Sequence, residues 1–351
     1  MPKLEVRPQP SRVWGYASPL LALAVTVLIG VVLFAALGKD PVQGLRVFFW
    51  EPIKSPYAWG ELLLKATPLL IIALGLAVCF RSNVWNIGAE GQFVLGAVFA
   101  GGVALMADKT TGPWIVPAVL LAGVLGGMLW AAVTALLRDR FNANEILVSL
   151  MLVYVAIQTL NYLVYGPWKD PLGFNFPQTK TFEQVAQMPR LFQGSRLNIG
   201  LLIGLAGVAA AWVYLFRTHS GYAQQVGGLA PAAARYAGFS SRRALWVALL
   251  VSGGAAGLAG ALDVAGPIGQ LTPFVPAGYG FAAIIVAFVG RLHPVGIVFS
   301  AVLMSMFYIG GELAQSRLGL PKAITGVFQG LLLFALLACD TLIAYRVKWR
   351  S

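Results

Sequence analysis

The chain has 351 residues, of which 58% are hydrophobic and only 11% charged, with a mean hydropathy of +0.77. A soluble chain carries about 25% charged residues, and no soluble core could hide this much apolar surface, so the solvent must be lipid. The net charge of +12 would suit a nucleic acid, but no basic–aromatic module accompanies it, and membrane proteins collect Lys and Arg for a topological reason.

A run that crosses about 30 Å of hydrocarbon needs about 20 residues. In chain order such runs fall at residues 20–37, 62–80, 93–107, 114–137, 146–165, 197–216, 244–262, 281–290, 295–311 and 325–345. The expectation is an all-α membrane protein, a polytopic bundle of about ten transmembrane helices forming a single domain over residues 1–351. The third and eighth runs are short for a full crossing. The first run follows Lys3, Arg7 and Arg12 and is longer than a signal-peptide core. It therefore reads as an uncleaved helix behind a cytoplasmic tail of residues 1–19.

With the N-terminus inside, fourteen Lys and Arg residues fall on the inner side and ten on the outer, with Lys65 inside a span. Longer outer loops dilute the outer set, so both termini are expected in the cytoplasm. Two connections exceed the roughly 12–15 residues that a plain linker uses. The extracytoplasmic loop 166–196 is punctuated by Pro167, Pro171, Pro177 and Pro189, and suits a partner or a cap over an entrance. The cytoplasmic loop 217–243 contains a stretch of small residues, 230–238, that carries Arg235 and Tyr236, and suits docking of a cytosolic protein.

Enzymatic chemistry is hard to place. No G-x-x-x-x-G-K-[ST] occurs, so the chain has no P-loop for ATP phosphates. The two histidines, His219 and His293, fall at cytoplasmic helix ends without an H-E-x-x-H pattern, and neither a catalytic residue nor a metal site is expected. Cys79 and Cys339 lie in apolar runs and read as buried free thiols. Gly253, Gly257 and Gly260 follow no strand, so they read, like Gly123 and Gly127, as close helix contacts rather than a dinucleotide loop.

Polar groups at membrane depth are the informative exceptions, because a charge there costs at least about 2.5–3.5 kcal/mol. The charged candidates are Lys65, Glu90, Glu145, Asp263 and Glu312. Lys65 can instead snorkel to an interface, Glu145 and Glu312 lie near span ends, and Gln158 and Asn161 read as ties between helices. The segment from Asn83 to Gln92 is different, because it sets Trp85, Asn86, Glu90 and Gln92 beside two glycines between apolar runs. Irregular backbone at depth survives only where it is buried or lines a cavity. A second interruption runs from Gly266 through Gln270 to Gly280. The two follow the second and the seventh helix, an odd offset that suits a 5+5 inverted repeat with broken helices flanking a substrate site. Trp85, Asn86, Glu90, Gln92, Gln270 and Phe281 are the substrate-path candidates. Residues 83–92 and 266–280 on separate flanks would contradict this arrangement.

The same residues carry a family resemblance. Asn86-Ile-Gly-Ala-Glu-Gly-Gln92 resembles the signature of ABC-importer permeases of the branched-chain amino acid, simple-sugar and nucleoside class. Asn144-Glu-Ile-Leu-Val-Ser-Leu-Met151, Gly166-Pro-Trp-Lys-Asp-Pro171, Phe176-Pro-Gln178 and Ala232-Ala-Ala-Arg-Tyr-Ala-Gly-Phe239 follow in order. Ser252-Gly-Gly-Ala-Ala-Gly-Leu-Ala-Gly260, Gly278-Tyr-Gly-Phe-Ala-Ala283 and Gly290-Arg-Leu-His-Pro294 complete the set. Together they are similar to the nucleoside branch over roughly residues 60–340. One departure is Ala230 before Pro231, where relatives often carry Asn, which leaves the cap of that segment open.

The resemblance implies a permease of the bacterial plasma (inner) membrane that hydrolyses nothing and binds no cofactor itself. It also implies a second permease chain, a cytosolic ABC ATPase that hydrolyses ATP, and an extracytoplasmic substrate-binding lipoprotein. Residues 230–238 would be the ATPase-coupling helix, with Ala230, Pro231, Ala234, Arg235, Tyr236 and Gly238 at the contact, and loop 166–196 would meet the lipoprotein. A nucleoside offers a stackable base and neutral donors and acceptors, which suit aromatic and amide side chains. A simple sugar, or a branched-chain amino acid paired with Lys65 or Arg81, is the alternative substrate. A secondary transporter with Glu90 or Asp263 relaying protons is the alternative mechanism.

Overall fold

The computed structural model describes residues 2–6 and 12–349. Among these residues, eight helices are long and apolar enough to cross a membrane, and two shorter apolar helices join them. In order they match the ten expected runs, and the chain is a multi-pass membrane protein. The shorter two are the third and the eighth, with 16 and 11 residues. At 1.5 Å per residue they reach only about 24 and 17 Å, less than a bilayer core. Each is preceded by irregular backbone, at residues 82–88 and 269–278.

The chain packs as two compact units, residues 1–62 with 303–351, and residues 63–302. In the first, β1 (Pro2–Val6) pairs antiparallel with β2 (Tyr345–Trp349), Pro2 opposite Trp349. This small ribbon adds to the all-helical expectation. Behind it α1 (Arg12–Ala36) packs along α13 (Ala323–Ala344). A short helix, α2 (Pro41–Leu45), starts at Asp40, whose side chain accepts from the Val42 N–H at 2.9 Å. Phe34, Phe48, Phe307 and Phe328 fill the centre of this unit, Phe48 stacked on Phe328 at 4.4 Å.

The second unit holds most of α3 (Pro56–Arg81) and then α4 (Ala89–Ala104), α5 (Ile115–Phe141) and α6 (Glu145–Tyr165). After loop 166–196 come α7 (Gly200–Arg217), α8 (His219–Leu229), α9 (Pro231–Tyr236) and α10 (Ser241–Asp263). It closes with α11 (Tyr279–Val289) and the first turns of α12 (Pro294–Leu318). Its core is α10 packed on α4 and α5, and the glycines explain why. A Cβ on Gly257 would strike the Gly123 carbonyl, and one on Gly260 the Phe93 carbonyl. These are close helix contacts, as the sequence suggested, and they let backbones approach where lipid supplies no hydrophobic drive. Cys79 and Cys339 are buried and free.

Candidate functional site

The two interrupted regions meet. Asn83 adopts a left-handed turn (φ 55°) at the end of α3, and the chain then runs through irregular backbone to the start of α4. Trp85 donates to the Asn83 side-chain oxygen at 3.2 Å and packs its ring against Phe80 and Phe288. Asn86 is fully buried. Its amide donates to Gln92 Oε1 at 2.8 Å and to Ser252 Oγ on α10 at 2.9 Å, while Gln92 Nε2 returns a bond to Asn86 Oδ1 at 3.1 Å. Ser149 on α6 accepts from the Ile87 N–H at 3.3 Å. Three helices thus hold this irregular backbone, as buried polar groups require.

Glu90 makes the connection. It lies in the first turn of α4 and is 1% exposed. Its two carboxylate oxygens accept from the backbone N–H groups of Gly278 at 2.8 Å and Gly280 at 2.5 Å. Those groups are among the donors that the start of α11 leaves without a helical partner. The N-terminal ends of α4 and α11 therefore share one carboxylate, whose charge opposes the partial positive charge of both. The contact is close enough that a Cβ on Gly280 would strike the Glu90 N–H, and Gly278 takes φ 80°.

The six substrate-path candidates divide into three groups. Asn86, Glu90 and Gln92 are all buried: Asn86 and Gln92 bond each other, and Glu90 accepts from Gly278 and Gly280. Gln270 is half-buried and reaches loop 166–196, donating to Gln178 Oε1 at 3.3 Å. Trp85 and Phe281 keep exposed ring surface, 38% and 40%. Ser149, Ser252, Gly278 and Gly280 had not been singled out as contacts of this network, since none carries a chemical signature by itself. Glu145 lies at a helix start as an interface residue, 3.3 Å from Arg138. Asn161 donates to Gln158 within α6 at 3.0 Å.

Loop 166–196 is clamped along the second interruption. Backbone N–H groups of Thr179, Phe182 and Met188 donate to the carbonyls of Leu271, Gly269 and Ala265 at 2.7–3.0 Å. Phe174 and Leu172 stand out from it, 93% and 82% exposed.

The expected coupling segment is α9. Pro231 opens it with a preset φ, and Ala230 gives no side-chain cap, which is the open question raised by the sequence. Ala234 is buried against its neighbours, while Ala230, Pro231, Arg235 and Gly238 are exposed and Tyr236 is 98% exposed. Gly238 ends the segment at φ 80°. Beneath it α8 is bonded to the root of the first interruption. Ser82 Oγ donates to Gln224 Oε1 at 2.6 Å and Arg81 Nη1 to Gln225 Oε1 at 2.9 Å, while Gln224 Nε2 reaches the Ala244 carbonyl at 3.2 Å. Gly228 sits so close to residues 81–83 that a Cβ would overlap the Arg81 carbonyl. Beside α9 a cavity of about 550 Å³ is lined by Tyr214, His219, Phe239 and Arg243 among others. Outside the spans, His293 is held below the usual histidine range by burial and by the charge of Arg81.

Two short helices that meet at their N-terminal ends inside the second unit resemble the discontinuous helices of transporter folds. Residues 59–337 match the family described as branched-chain amino acid transport system / permease component, and the chain belongs to that family. It is 32% identical to the glucose ABC transporter permease protein TsgB13 of Haloferax volcanii, over 95% of this chain and 90% of that protein. It is 28% identical to the nucleoside ABC transporter permease protein NupB of Lactococcus lactis, over 90% and 89%. It is 27% identical to the guanosine ABC transporter permease protein NupP of Bacillus subtilis, over 88% and 89%. The last two organisms each hold a second, 26% identical permease protein, NupC and NupQ.

Proposed function

We propose that this chain is one of two permease subunits of an ABC importer for nucleosides, set in the bacterial plasma membrane. A separate cytosolic ATPase drives it and an extracytoplasmic lipoprotein supplies the substrate. The observation that carries the reading is the continuous set of contacts from α9 through α8 to the Glu90 bridge. Exposed Arg235 and Tyr236 are the anchors for the ATPase groove, because such residues concentrate interface energy. When the ATPase pair closes, α9 moves with it. The Gln224–Ser82 and Gln225–Arg81 bonds pass that motion to residues 82–88 and so to the paired ends of α4 and α11. The path then opens alternately to each side.

The permease does no chemistry on its solute; it supplies a route and a gate. Nucleoside is favoured by the two nucleoside and guanosine relatives that match nearly the whole chain. A sugar is the second reading, favoured by the 32% identical glucose relative. Paired permeases in single organisms support a second subunit. Competition decides the substrate. Uptake of labelled guanosine by cells expressing the whole transporter should be suppressed by excess unlabelled nucleosides and unaffected by glucose. Suppression by glucose, with glucose itself imported, would replace the nucleoside reading with the sugar reading.

A further inference from the structure

Among the helices of the second unit that leave a broad face uncovered, α6 and α7 differ in what that face carries. On α7 the exposed residues include Leu202, Leu205, Trp212, Val213 and Phe216, the apolar surface that lipid requires. On α6 Ser149, Val153, Ala156, Leu160 and Val164 form the buried stripe. The opposite stripe runs Leu147, Met151, Tyr154, Gln158, Tyr162 and Tyr165, all exposed, at the 3- and 4-residue spacing of one helix face.

That stripe is wrong for lipid. The 21 residues of α6 span about 31 Å, which places Tyr154 near the middle and Gln158 about 10 Å inside the outer end. An interfacial aromatic belt accounts for Tyr162 and Tyr165, but not for a tyrosine and an amide at that depth. Among the described residues, the bond between these groups joins Asn161 Nδ2 to Gln158 Oε1, at 3.0 Å. Among the described residues, the Gln158 amide N–H groups and the Asn161 carbonyl find no other partner, and such groups in hydrocarbon cost free energy. Gln158 is exposed and Asn161 half-buried.

We propose that this face of α6 lines the aqueous path and contacts the solute. A tyrosine ring offers a stacking surface, and the Gln158–Asn161 pair offers one donor group and one acceptor side by side. The stripe carries no charge from residue 146 to residue 165, so it selects uncharged, ring-bearing, hydroxylated solutes over amino acids. The proposal rests on the importer reading above.

The test uses the complete transporter in membrane vesicles, with Cys79→Ala and Cys339→Ala removing the native thiols. Gln158→Cys and Tyr154→Cys should react with a charged, membrane-impermeant thiol reagent, and guanosine should slow the reaction several-fold. Leu202→Cys on α7 serves as the lipid control. Gln158→Leu should lower uptake by up to about tenfold, the net worth of one hydrogen bond, with ATPase assembly unchanged. Reaction no faster than the Leu202→Cys control overturns the proposal. So does reaction that guanosine and glucose both leave unchanged while either is transported. Absence of uptake for both solutes in the unsubstituted transporter would instead count against the importer reading, because thiol access is read without any solute.

Discussion

Replacing Glu90 probes the contact on which the whole arrangement turns. Glu90→Ala removes both acceptors from the Gly278 and Gly280 N–H groups, which the structure holds at 2.8 and 2.5 Å. With Glu90 1% exposed, little water can replace them. A buried donor left without its acceptor costs about 1–3 kcal/mol, so the pair costs about 2–6 kcal/mol. Loss of a carboxylate between two helix starts adds up to about 2 kcal/mol. Glu90→Gln keeps one acceptor oxygen and turns an N–H toward the other donor, so it should forfeit about half of the hydrogen-bond loss and all of the charge effect. Thermal unfolding of the detergent-purified permease complex should therefore rank wild type above Glu90→Gln and Glu90→Gln above Glu90→Ala. Uptake should fall in the same order, with the ATPase still bound to any folded complex. A Glu90→Ala protein as heat-stable as wild type would refute the bridge, and wild-type transport by that variant would refute its place in the mechanism.

Other perturbations follow from the same contacts. Gln224→Ala breaks the bonds to Ser82 and Ala244; ATP turnover by the complex should persist while uptake per ATP falls several-fold, and unchanged coupling would contradict transmission through α8. Tyr236→Ala removes a side chain exposed at 98% without disturbing the fold. Sedimentation or surface-binding measurements should find the ATPase held at least tenfold more weakly, as expected of an interface anchor. Gly257→Leu would drive a side chain into the Gly123 carbonyl and the Gly127 backbone, and should abolish accumulation of folded protein through overpacking. His293 titrates lower in the folded state than its unfolded value near 6.5. Its neutral form then stabilises the fold fully above about pH 6.5, and this is lost as pH falls toward the lowered pKa. The stability of His293→Gln should accordingly decline less than that of wild type on acidification through this range.

Hydropathy alone located the ten apolar helices, because each exposes its identity in its own residues. The shortness of the third and eighth was legible too, and it reflects helices that begin after an irregular lead-in. The partners of Glu90 were not legible. They are backbone N–H groups 188 and 190 positions away, and a backbone donor leaves no mark in a sequence. Asn86 and Gln92 stand out in the sequence as amides beside glycines, but their types do not reveal that they bond each other and Ser252. Trp85 and Phe281 could be singled out as aromatic, but their remaining exposure depends on what packs beside them. The link from Ser82 to Gln224 escaped for a similar reason, since α8 is a polar helix whose face is set by α3 and α10. The terminal ribbon alternates apolar and charged residues at Leu4-Glu5-Val6 and Arg346-Val347-Lys348, a period-2 signal too short to stand out beside the long helices.

ATP dependence of transport tests the central claim most directly. Proteoliposomes should be loaded with ATP and assembled from this chain, its second permease, the ATPase and the binding lipoprotein. They should accumulate labelled guanosine against a gradient and continue to do so in the presence of a protonophore. Uptake that survives removal of the ATPase and collapses with the protonophore would contradict the account and return Glu90 and Asp263 to the role of proton carriers.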